Sequence, residues 1–77
     1  MEFSKDQAYM IERWADQETA NVAHNMLTLL FRKGEAKDQL SKVELVSLEN
    51  ILLEMQRTLD NLYVIRKECE KFRKGEV

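Results

Sequence analysis

One histidine, His24, and one cysteine, Cys69, are the only strong soft-metal ligands in this sequence. A zinc site takes about four ligands, and no His/Cys spacing here supplies them. A di-metal site inside a helical bundle uses Glu-x-x-His pairs. Asn21 stands three residues before His24, so that motif is absent. A Cys–His nucleophile pair needs both groups in contact and oriented by a third. There is no glycine-rich phosphate loop, and carboxylates such as Glu68 and Glu70 read as solvated charges. The expectation is a non-enzyme with no catalytic residue, no cofactor and no metal, in which Cys69 is a small core residue.

Five cations, Arg66, Lys67, Lys71, Arg73 and Lys74, cluster near the C-terminal end. Cations there favour a helix dipole, and the interleaved Glu68 and Glu70 dilute any phosphate affinity. Twelve Lys and Arg against fourteen Asp and Glu leave a formal charge of −2. That balance disfavours a dedicated nucleic-acid binder, whose affinity comes largely from phosphate neutralisation. A dimer that gathers two basic ends keeps RNA or DNA binding as an alternative. No apolar run approaches the roughly 20 residues of a membrane span. Met1–Gln7 lacks a signal-peptide core, so the expected location is the cytoplasm.

The elements that position these residues are helices. A chain of 77 residues with no proline and two glycines is expected to form one helical domain over residues 1–77. Ser41 and Glu44 form a capping box, with the Ser41 hydroxyl accepting from the Glu44 N–H and the Glu44 carboxylate reaching the Ser41 N–H. Leu40 and Leu45 are placed as a hydrophobic staple. A second helix is therefore expected over residues 42–74. Its seam comprises Leu45, Leu48, Leu52, Met55, Leu59 and Leu62 at alternating spacings of three and four. Arg66 interrupts this seam and Cys69 resumes it. Ile51, Ile65 and Phe72 flank and widen it, as in a bundle helix. These six seam residues are the expected oligomer core.

A first helix is expected over residues 4–33. Ser4 and Gln7 form a weaker capping box, with Phe3 and Ala8 as its staple. Gly34 supplies a left-handed stop, preceded by Arg32 and Lys33. Residues 34–41 then form the connector. The polar run Asp16–Thr19 allows either passage of the helix or a break at an Asp16 cap. Passage is expected, because neither Gly nor Pro enforces a break. This helix has two apolar faces. Ala8, Ile11, Ala15, Val22, Met26 and Leu29 lie on one; Tyr9, Ala20, Leu27 and Phe31 lie on another, with His24, Met10 and Trp14 nearby. Two apolar faces imply two neighbours. The expected fold is an all-α antiparallel helical hairpin that dimerises into a four-helix bundle.

Beyond the seam, Tyr9, Trp14 and Phe31 on helix one and Val46, Leu53 and Val64 on helix two are the candidate partner-binding residues. Aromatic anchors are common at interface hot spots. Gln56-Arg57-Thr58-Leu59-Asp60 resembles the S-Q-x-L-D string of the small sporulation aspartyl-phosphate phosphatases, which are also helical hairpins. The likeness covers five residues and lacks the serine; it implies a signalling regulator as one alternative. In architecture alone, two long helices joined by a short turn resemble the plasmid RNA-binding hairpin dimers, a likeness that carries no function. The leading expectation is a small regulator, adaptor or inhibitor, of phage or bacterial type, that binds itself and a larger protein stoichiometrically.

Overall fold

The computed structural model describes residues 3–36 and 38–75. Two helices, α1 (Lys5–Ala36) and α2 (Lys42–Lys74), pack side by side as an antiparallel hairpin. The molecule measures 53 × 20 × 16 Å. With helices about 10–12 Å thick, that is two helices wide and one deep.

Local chemistry sets the helix starts. The Gln7 N–H donates to Ser4 Oγ at 3.1 Å and the Ser4 N–H donates to Gln7 Oε1 at 2.9 Å, so the first capping box is reciprocal. At α2 the Glu44 N–H donates to Ser41 Oγ at 3.2 Å. The Glu44 carboxylate, expected at the Ser41 N–H, instead accepts from the Ser41 hydroxyl at 3.0 Å. The cap holds because the hydroxyl serves as donor and acceptor at once. Through Asp16–Thr19 the helix runs unbroken, and the Thr19 hydroxyl folds back to donate to the Ala15 carbonyl at 2.7 Å.

The expected stop at Gly34 does not occur. α1 continues to Ala36, three residues beyond the expected end at 33, and the connector shortens accordingly. Gly34 has no positive φ; among the described residues Gly75 alone has one, at 74°. Glycine permits a left-handed stop without compelling one, and here two further residues keep the helical geometry. The chain turns instead where the Ala36 carbonyl accepts from the Gln39 N–H at 2.8 Å and the Leu40 N–H at 3.1 Å. The left-handed cap belongs to α2: the Gly75 N–H donates to the carbonyls of Lys71 and Phe72. Phe3 meets the Phe72 ring across the open end of the hairpin, with centroids 4.9 Å apart.

The seam follows one repeat on both helices. On α1, Ala8, Glu12, Ala15, Thr19, Val22, Met26, Leu29, Lys33 and Ala36 are all buried or half-buried. On α2 the same holds for Leu45, Leu48, Leu52, Met55, Leu59, Leu62, Arg66, Cys69 and Arg73. Both series advance by three and four residues, the pattern that keeps one line of each helix against its neighbour. The deepest apolar positions are Ala8, Ala15, Leu52, Leu62 and Cys69. Among the described residues no large side chain is fully enclosed. Two helices touch along one line, and residues flanking that line stay wet.

Two substitution pairs check this fold. Leu52→Ala is expected to cost about 2–4 kcal/mol through lost burial and a residual void, whereas Glu49→Ala stays within about 0.5 kcal/mol; equal losses in urea melts would mean the helix phase is wrong. Gly34→Ala has open space for its methyl and should stabilise by about 0.5–1 kcal/mol, the helical preference for alanine. Gly75→Ala should destabilise, because its φ of 74° strains an alanine. A destabilised Gly34→Ala would restore the left-handed stop.

Candidate interaction surface

The polar end of the seam is built from charges on facing stripes. Glu12 falls between Ala8 and Ala15 on the core side of α1, and only 6% of it is exposed. Opposite it, Arg73 donates from Nε at 2.7 Å and from Nη2 at 3.2 Å to the two Glu12 oxygens. One turn along α1, Asp16 accepts from Arg66 Nε at 2.6 Å. At the connector end Lys33 pairs with Glu49 at 3.4 Å. These pairs join the start of α1 to the end of α2 and the end of α1 to the start of α2. The Arg66 interruption is thereby explained: a guanidinium on the seam meets a carboxylate on the other helix, beside the small Ala15. No buried side-chain polar atom among the described residues lacks a partner.

These pairs set the local electrostatics. The Glu12 carboxylate holds the Arg73 guanidinium above its ordinary value. Burial, followed by the negative charge of Glu12 and then of Glu68, pushes the Cys69 thiol up. A buried thiol with a raised pKa is a poor nucleophile and a poor metal ligand. The hydrogen bond from Lys74, then the charges of Lys67 and Lys74, hold the Glu70 carboxyl below the usual carboxylate range. Cys69 lies within electrostatic reach of Glu12 in the first turns of α1, while His24 is exposed and farther along that helix. Among the described residues no cluster of His, Cys, Asp and Glu could hold a metal ion, and no helix is long and apolar enough to cross a membrane.

Each of the five C-terminal cations has a carboxylate nearby. Arg66 bonds Asp16 and Glu70, Arg73 bonds Glu12, Lys67 and Lys74 pair with Glu70, and Lys71 pairs with Glu68. Asp60, in the string that resembles the phosphatases, accepts from the Gln56 amide at 3.3 Å on the exposed surface.

The apolar residues outside the seam remain uncovered. Tyr9, Trp14 and Phe31 on α1 and Val46, Leu53 and Val64 on α2 are all exposed. Leu27 and Leu30 join Phe31 on the outer side of α1. The structure does not bring the six candidate residues into one site. It divides them between the α1 outer stripe and the α2 back, while Tyr9 and Trp14 line an open groove of about 890 Å³ with Arg13, Arg66 and Arg73. In that groove the guanidiniums of Arg73 and Arg13 lie 5.8 and 6.0 Å from the Tyr9 ring centroid, and Arg13 donates to the Tyr9 hydroxyl at 3.4 Å. The six seam residues of α2 face α1: Leu52 and Leu62 are buried and Leu45, Leu48, Met55 and Leu59 half-buried.

The two edges of the α2 seam differ. One edge carries Glu49, Gln56, Tyr63 and Glu70, spaced by seven. The other carries Ile51, Thr58, Ile65 and Phe72 at the same spacing, beside a shallow groove of about 350 Å³ bounded by Val22 and Met55. Glu12 and Arg73 were not identified as a pair from the sequence. The available signal was their place on the 3–4 repeats of two facing helices, with opposite charge.

The pair can be tested by a double-substitution cycle. Glu12→Ala should lower the melting temperature more than Glu49→Ala, because it leaves Arg73 without its partner at a half-buried position. Adding Arg73→Ala should then cost less than Arg73→Ala does alone. Additive losses would mean that the two side chains do not interact in solution. No family model, curated protein or solved structure matches this chain.

Proposed function

We propose that this chain is a small non-catalytic adaptor or inhibitor, which pairs with a second copy into a four-helix bundle and acts by binding a larger protein stoichiometrically. The carrying observation is the amount of apolar surface that the hairpin leaves outside its single seam. Leu27 and Phe31 are 67% and 69% exposed, and Val46, Leu53 and Val64 about half. Exposed aromatic and aliphatic groups at helical spacing suit the docking of one helix face into a groove or onto another helix. A solvated surface of scattered charges would not need them.

The back of α2 is the docking face in this reading. Val46, Leu53 and Val64 project away from the seam by their spacing, and the fold does not use them. Binding to RNA or DNA is less well supported, since the C-terminal cations sit beside carboxylates that compete with phosphates for them. Cytoplasmic residence and a phage or bacterial source belong to this same proposal.

Partner capture separates the readings. Leu53→Glu should leave the melting curve nearly unchanged and abolish capture of a protein from native-host lysate. Replacing Lys67, Lys71 and Lys74 with Gln should leave that capture intact. The opposite result, submicromolar nucleic-acid binding at physiological salt that the triple change removes with a flatter salt slope of about 0.7–0.9 per lost contact, would overturn the protein-partner reading.

A further inference from the structure

The groove at the terminal end of the hairpin gathers the side chains that dominate binding hot spots. Tyr9, Trp14 and the guanidiniums of Arg13, Arg66 and Arg73 line it together, and Trp, Tyr and Arg are enriched at such spots. Two of the three guanidiniums are occupied, Arg73 by both Glu12 oxygens and Arg66 by Asp16 and Glu70. Arg13 is different. It makes no ion pair among the described residues, and its hydrogen bond goes to the Tyr9 hydroxyl at 3.4 Å. An arginine fork carries five N–H donors, so the exposed Arg13 keeps most of its donors for a ligand.

Arg13 is held in place from the seam. Its guanidinium lies 6.0 Å from the centroid of the Tyr9 ring, one turn earlier on α1, and the Arg73 guanidinium lies 5.8 Å from the same centroid. Arg73 is anchored in turn by the buried Glu12. Glu12, Arg73, Tyr9 and Arg13 thus form a chain that ties an exposed cation to the core line. At about 100° per residue, Arg13 lies between Tyr9 and the pair Met10 and Trp14. Met10 and Trp14 are i and i+4 neighbours on the helix surface, 68% and 50% exposed. Among the described residues no ring or cation stacks on the Trp14 indole.

Charge selects the ligand. Arg13, Arg66 and Arg73 against Glu12 and Asp16 leave the groove with one surplus positive charge, on a chain whose formal charge is −2. A single carboxylate balances that surplus, and it matches the planar fork of an arginine. A nucleic-acid strand brings a charge with every nucleotide, and beyond the first phosphate it meets only guanidiniums already bonded to carboxylates. The apolar Met10 and Trp14 beside Arg13 suit an apolar group next to the carboxylate. A free small molecule needs a site that encloses most of its surface, which an open groove does not do. A segment carried by a larger protein has no such need.

We propose that this groove is a second docking site, which takes a protein segment bearing one acidic side chain beside an apolar one. The carboxylate accepts from the Arg13 guanidinium, and the apolar side chain covers Met10 and Trp14. The proposal rests on the protein-partner reading above and adds to it a contact on α1, remote from the back of α2, with a stated chemistry for the partner.

Defined peptides test it. The probe is a capped alanine–glutamine helix that carries a single Glu with Leu at i+3 and i+4; its twins carry Gln or Lys in place of the Glu. Titrated to about 1 mM into the full chain, the Glu peptide should shift the emission of Trp14, the single tryptophan, and reach saturation. The Gln and Lys twins should bind about tenfold more weakly or worse. Arg13→Gln should weaken the Glu peptide by a similar factor, and Arg13→Glu should reverse the preference in favour of the Lys twin. Trp14→Ala, followed by amide chemical shifts, should also lose binding. Both positions are exposed, so the melting curves should stay close to that of the native chain. Leu53→Glu should bind the Glu peptide as the native chain does. No binding, equal binding of the Glu and Gln peptides, a preference that survives Arg13→Glu, or tighter binding of an oligouridylate would overturn the site. Capture from lysate judges the adaptor reading separately: retained, Leu53-dependent capture would leave that reading standing through the back of α2, and a native chain that captures no protein would overturn it whatever the peptides do.

Discussion

Two helices laid side by side share one line of contact, and everything else about this molecule follows from that limit. Both helices carry the 3–4 repeat needed to fill the line, and every position of it between Ala8 and Ala36 and between Leu45 and Arg73 is at least half-buried. The geometry allows no more, because a helix can turn only part of its circumference towards a single neighbour. Even Leu52 and Leu62, at the deepest points of the seam, have no third element above them. A chain of this size gains little from its own core. The apolar side chains beyond the line are therefore the ones that call for an explanation outside the hairpin.

Within the line, the two ends differ in chemistry. Towards the connector it is aliphatic, from Val22, Met26 and Leu29 against Leu45, Leu48, Leu52 and Met55. Towards the termini it is small and charged, with Ala8 and Ala15 buried on the line and Glu12 and Asp16 pairing with Arg73 and Arg66. Apolar contacts are indifferent to a slip of one repeat along the seam. The set of ion pairs is not, because a slip of seven residues that carries Arg66 to the place of Arg73 at Glu12 would set Leu59 in the place of Arg66 at Asp16. The paired charges thus define the register in which the aliphatic half packs. Their net contribution to stability is smaller than their geometry suggests, since both groups give up water to form the pair.

The same charges shape the surface. With the acids of α1 and the basic residues of α2 drawn to one another, the C-terminal end of α2 presents ion pairs and not a bare cationic patch. The Arg13 and Arg73 guanidiniums beside Tyr9 give the terminal end an aromatic and cationic groove, whereas the connector half of α1 exposes the apolar Leu27, Leu30 and Phe31. One hairpin therefore offers surfaces of different character at its two ends.

Much of the hairpin was written in local sequence. Helix starts depend on groups three residues apart, so the Ser4–Gln7 and Ser41–Glu44 boxes were readable directly. The phase of α2 was readable too, because the spacing from Leu45 to Leu62 admits one buried side. The second face of α1, with Leu27 and Phe31, followed from the same periodicity. Sequence alone misplaced the end of α1, since a glycine accepts helical and left-handed geometry alike and its neighbours decide between them. It also left Arg66 as an interruption and did not identify Glu12 and Arg73 as a pair. A charge within an apolar stripe has meaning only through the group that faces it, and which group faces it depends on how far one helix slides along the other. That sliding position is a property of the assembled pair, set by Glu12 with Arg73, Asp16 with Arg66 and Lys33 with Glu49, and no single stretch of the chain contains it.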